Sequence, residues 1–120
     1  MSEKVEEFPI GDLASMLAVN DKVEEWVNVP EWKMRVKVKS ITKGDQVKLR
    51  KQATVRGELD MTRMEQLIFV YGLAEPAITE EHLGRLFEKQ SGAVDRILNA
   101  IFEVSGMTKK VEEAEADFQE

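Results

Sequence analysis

The chain has one histidine, His82, and no cysteine. His82 sits between Glu81 and Leu83, in the expected first turn of a helix. A transition-metal site needs several convergent ligands, and no second imidazole and no thiolate exist to join it. A hydrolytic triad needs a nucleophile, a base and an orienting acid in contact. One histidine on an expected helix surface does not supply that. Glu80-Glu81 and Glu112-Glu113 are charge pairs of the kind exposed helices carry, so no carboxylate dyad is expected. The glycines stand singly, mostly at element ends, and form no phosphate-binding loop. The expectation is a non-enzyme with no catalytic residues, no metal and no cofactor.

What remains is the chemistry of recognition. From residue 33 to residue 56 the charged side chains are Lys33, Arg35, Lys37, Lys39, Lys43, Lys48, Arg50, Lys51 and Arg56, with Asp45 the only acid. The flanking segments are acidic, and the whole chain carries a formal charge of -6. This segregation has two readings: solvated strand and helix faces, or a docking surface for an acidic partner or for the chain's own acidic tail. On the second reading Arg35, Lys37 and Lys39 are candidate contacts. Trp26 fits equally well as a partner anchor and as a core plug. Trp32 is expected in the core.

These residues need a scaffold, and the stretch EEWVNVPEWKMRVKVKSIT (24–42) provides it. Trp32, Met34, Val36 and Val38 alternate with Lys33, Arg35, Lys37 and Lys39, the pattern of a strand with one buried face and one wet face. Trp26 to Val29 reads as its hairpin partner, with Pro30 in a tight turn. Upstream, residues 1–9 read as a loose arm, and Asp12 caps a short helix from Leu13 to Val19 with Leu13, Met16 and Leu17 on one stripe. Downstream, Thr42 caps a surface helix from Lys43 to about Thr54 whose apolar positions are Val47, Leu49 and Ala53. Gly57 to Asp60 reads as a loop. Asp60 caps a helix from Met61 to Tyr71 that is apolar on nearly every side of its second half, with Gly72 just past its end. Thr79-Glu80-Glu81 starts a short helix to about Lys89, lined inside by Leu83, Leu86 and Phe87.

Ser91 caps the clearest amphipathic helix, Gly92 to about Val104, with Val94, Ile97, Leu98, Ile101 and Phe102 on its inner face. Beyond Ser105-Gly106, residues 108–120 read as a marginal C-terminal helix or mobile tail, because lysines in its first turn and acids in its last oppose the helix dipole. Its stripe of Val111, Ala114 and Phe118 is a candidate for docking on a partner or on a neighbouring copy of the chain. The expected architecture is α+β: an N-terminal β-hairpin packed on a bundle of about four helices, a single domain over 10–107. At 120 residues the chain is long enough for a modest core. Absent cysteine suits the cytosol. The acidic start lacks a signal peptide's pattern, and no apolar run approaches the ~20 residues of a membrane span. Net acidity argues against a general nucleic-acid binder.

Three landmarks occur in order: a hairpin strand leading into a polar helix, VPEWKMRVKVKSITKGDQVKLRKQAT; then GELDMTRMEQLIFVYGLAEPAITEEHL; then SGAVDRILNAIFEVSGM. In this order and spacing, over roughly residues 10–118, the chain resembles the phage tail assembly chaperones, in particular the XkdN-like group of Gram-positive phages and defective prophages. The resemblance implies a cytoplasmic protein of the bacterial host, absent from the finished particle, that coats the long helical tape measure protein and helps tail tube subunits assemble around it. Relatives often exist also as a longer frameshifted form. The family offers no catalytic residues to carry over. The alternative, from a different class, is a nucleic-acid-associated accessory protein using the basic face of residues 33–56.

Overall fold

Alternation of apolar and basic side chains builds the first two strands. In the computed structural model, which describes residues 7–107, β1 (Glu24–Val29) and β2 (Met34–Lys39) pair antiparallel along their whole lengths. Val27 lies opposite Val36 and Val29 opposite Met34 on the inner face, while Trp26 lies opposite Lys37 and Asn28 opposite Arg35 on the outer face. Pro30–Trp32 form a 3-10 turn, and Lys33 adopts the left-handed region at φ 54°. Trp32 is therefore a turn residue, not a strand residue as alternation alone suggests. The turn still lays its half-buried indole against the core.

The helices follow their caps. Asp12 accepts the Ser15 amide hydrogen at 2.8 Å and starts α1 (Leu13–Ala18). Thr42 accepts the Asp45 amide hydrogen at 3.0 Å and starts α2 (Lys43–Gln52), of which only Leu49 is buried. The helix stops at Gln52, short of the expected Thr54, and Gly57 to Asp60, expected as a loop, belong with residues 54–56 to a miniature hairpin of β3 (Thr54–Val55) and β4 (Glu58–Leu59) that leads to Asp60. Arg56 and Gly57 both take positive φ at its turn, as a two-residue hairpin requires.

Asp60 caps α3 (Met61–Gly72) through the Arg63 amide. Gly72 ends this helix from within and does not adopt the left-handed form of a helix stop. Its lack of a side chain serves packing, because a Cβ there would collide with the Ile101 side chain. After it, β5 (Leu73–Glu75) pairs antiparallel with Lys37 and Val38 of β2 across a bulge, which extends the hairpin to a three-stranded sheet in the order β1-β2-β5.

The following 3-10 turn (Glu80–His82) and α4 (Leu83–Leu86) are shorter than the expected helix to Lys89. The last described helix is α5 (Ser91–Ser105). Its N-cap is Gln90, so Ser91 belongs to the helix and its hydroxyl reaches Asp95 at 3.3 Å. Gly106, at φ 71°, closes it while the Met107 N–H donates to the Phe102 carbonyl at 2.8 Å.

α5 lies across the inner face of β1 and β2 and packs on α3. The fully buried side chains come from both layers: Val29 and Val38 from the sheet, Leu49 from α2, Leu67 and Phe69 from α3, Ile97 and Ile101 from α5. This is the α+β arrangement of a hairpin on helices, with the two helices of densest apolar spacing at its centre.

Candidate docking surfaces

His82 serves the backbone. Its Nδ1 accepts the Thr79 amide hydrogen at 3.1 Å, closing a capping box with Thr79. Among the described residues no three His, Cys, Asp or Glu side chains group as metal ligands do, and no helix is long and apolar enough to cross a membrane. Three regions of the described surface group exposed apolar or charged side chains.

The first is the outer face of the sheet. It brings together three of the residues singled out in the sequence. The guanidinium of Arg35 stands 4.5 Å from the centroid of the Trp26 ring, and the ammonium of Lys37 stands 5.0 Å from it. Trp26 is 48% exposed, so it is not a core plug; its ring is the floor beneath the two cations. Lys37 also pairs with Glu24 at 3.5 Å and with Glu75 at 4.0 Å. Lys39 shares this face at the opposite end from Arg35, across from Glu24. The face is thus mixed in charge. Val111, Ala114 and Phe118 lie outside the described residues.

The second surface is an apolar groove. β5 pairs with only Lys37 and Val38, because Pro76 has no N–H with which to continue the ladder. The first half of β2 is left open on that side, and the chain from Pro76 to Lys89 borders the opening. The result is a cavity of about 450 Å³ lined by Trp32, Met34, Phe69, Ile78 and Leu86 among others, with Lys89 its only charged wall. Its size and apolar lining are those of a binding pocket. Phe87 stacks edge-on against Phe69 behind it, with ring centroids 5.6 Å apart.

The groove's hairpin side is pinned from below. Glu31, in the 3-10 turn beside Trp32, takes a two-pronged pair from Arg96 of α5, at 2.8 Å and 3.2 Å. The Arg96 hydrogen bonds hold the Glu31 carboxyl below its ordinary value and raise the guanidinium's. On the loop side, Arg63 of α3 pairs with Glu80.

The third surface is the N-terminal segment from Phe8 to Ala18, the end of the expected loose arm together with α1, which act as one longer arm. Phe8, Ile10, Leu13, Met16 and Leu17 are each 66–96% exposed, and α1 buries no residue at all. The stripe at residues 13, 16 and 17 was legible in the sequence; that nothing covers it was not. The groove escaped sequence reasoning because its walls come from residues between 32 and 97 on separate elements. Compared with protein-family models, with curated proteins and with solved structures, the chain matches none.

Proposed function

We propose that this chain is a non-enzymatic tail assembly chaperone that binds an amphipathic helix of a tape measure protein in the groove beside β2. One observation carries the reading: a preformed apolar groove, open to solvent, with a single cation on its wall. A helix lays one stripe of apolar side chains into such a groove and reads as i, i+3, i+4 anchors. A tape measure protein is long, helical and prone to aggregate before assembly, so its uncovered stripes match the groove's chemistry. The resemblance of the three sequence landmarks to the chaperone family supports the same reading. Net acidity adds solubilising charge to the complex. The outer sheet face supplies a second, polar contact through Arg35, Lys37 and Lys39. Glu24 and Glu75 beside these cations make the same face a poor one for nucleic-acid phosphates.

Co-expression tests the reading. Segments of a tape measure protein are expressed alone and with the full chain. The expected result is insoluble segments alone and a soluble, co-purifying complex together, lost with Met34→Asp or Leu86→Asp. Segments that stay insoluble, or that co-purify equally with both groove variants, would overturn it. A duplex DNA titration against salt separates the other class, since phosphate binding falls steeply with salt whereas an apolar contact does not.

A further inference from the structure

We propose that the arm of one copy seats in the groove of a second copy, so that the chain pairs with itself by exchanging residues 8–18. This concerns the groove assigned above to a client helix and rests on its being a helix acceptor. In the client's absence the arm fills it; in the client's presence the two compete.

Three observations carry the inference. First, the arm and the groove are each incomplete alone. The arm holds five large apolar side chains in solvent, on a helix of six residues that is too short to persist in water without a covered face. The groove exposes the matching apolar walls. Second, the charges are complementary. Residues 7–19 include Glu7 and Asp12 and no base, whereas the groove presents Lys89, with Lys33 beside Met34 at the hairpin tip. Third, the arm leaves from the wrong end of the hairpin for its own groove. The Val23 N–H donates to the Ser40 hydroxyl at 3.0 Å, and the Ser40 N–H donates to the Val23 carbonyl at 2.8 Å. These bonds carry the ladder past Glu24 and fix the arm's departure at the open end, while Trp32 and Met34 sit at the turn end, roughly 20 Å along β1. To fill its own groove the arm must double back along its own strand. A neighbour's groove needs no reversal.

Complementation of two surface variants tests the exchange on the full chain. Leu17→Asp spoils the arm and keeps the groove; Met34→Asp spoils the groove and keeps the arm. Both side chains are more than half exposed, so both variants are expected to fold, which far-UV circular dichroism checks. Sedimentation velocity is run from high to low concentration on each. The unchanged chain is expected to dimerise, and each variant alone, which spoils both exchanges of the pair, to associate about a hundredfold more weakly or worse. An equimolar mixture of the two is expected to recover a heterodimer weaker than the unchanged pair but stronger than either variant's own, because one of its two exchanges joins an intact arm to an intact groove. A chain that is monomeric at every concentration would overturn the proposal, as would a dimer that either variant leaves intact or a mixture that shows no recovery. No client is present, so failure here leaves the client-binding proposal to its own test.

Discussion

Helices α5 and α1 carry apolar side chains at the same i, i+3, i+4 spacing and end in opposite surroundings. In α5, Val94, Ile97, Leu98 and Ile101 are buried between the sheet and α3. In α1, Leu13, Met16 and Leu17 stand in water. Both helices end or begin on recognisable signals, Gly106 for the first and Asp12 for the second. What differs is length and neighbourhood: fifteen residues laid across a sheet against six on a tether. Spacing records that a helix has a face to bury. It does not record what the face is buried against, and the helix whose face meets nothing of its own domain is the one free to meet something else.

The sharpest way to break this contrast is by matched truncation. Ile97→Ala is expected to cost ~2–5 kcal/mol in urea unfolding, the loss of a core side chain plus its cavity. Leu17→Ala, measured at concentrations where the chain is monomeric, is expected to change stability by no more than about 0.5 kcal/mol, as at other surface positions. Similar losses at the two sites would show that the arm belongs to the core.

A smaller effect sharpens the core side of the comparison. Gly72→Ala puts a methyl group into the Ile101 side chain, and is expected to cost ~1–3 kcal/mol by overpacking. Pairing it with Ile101→Val should recover part of that loss in the same unfolding experiment. A neutral Gly72→Ala would mean that α3 and α5 are less closely seated than the contact implies.

The smallest effect concerns the pin under the groove. The Glu31 carboxyl is held below its ordinary value by Arg96, so its pair contributes stability above the ordinary carboxylate range. That contribution is lost as pH falls through the lowered value. Arg96→Met is therefore expected to leave a shallower dependence of melting temperature on pH in the acid range and little change near the most acid end. Because the pair is exposed to solvent, the difference should also shrink with added salt. An unaltered pH profile would show that Glu31 and Arg96 do not hold the turn.

Much of the fold was legible. Alternation at Val36 and Val38 located β2, and dense apolar spacing located α3 and α5. Short polar caps at Asp12, Thr42 and Asp60 placed three helix starts. The failures have local causes. β5 is three residues long and shows no alternation. The 54–59 hairpin turns on Arg56, not on a usual turn residue in that place. Gly72 looked like a helix stop because close packing and a left-handed cap both call for glycine. Trp26 fitted two readings, and the pairing with Lys37 removes the core one: strand register puts its ring on the wet face beneath two cations. The groove could not be read at all, because the half-covered β2 that creates it depends on where β5 stops.

The central claim is that the groove beside β2 receives a client helix. Hydrogen exchange on the full chain, with and without a soluble tape measure segment, tests it most directly. The account expects added segment to slow exchange in residues 76–89 and at the β2 edge around Met34 to Val36, with α5, already buried, unchanged. Slowing confined to the outer face or absent altogether, with the segment bound, would contradict it.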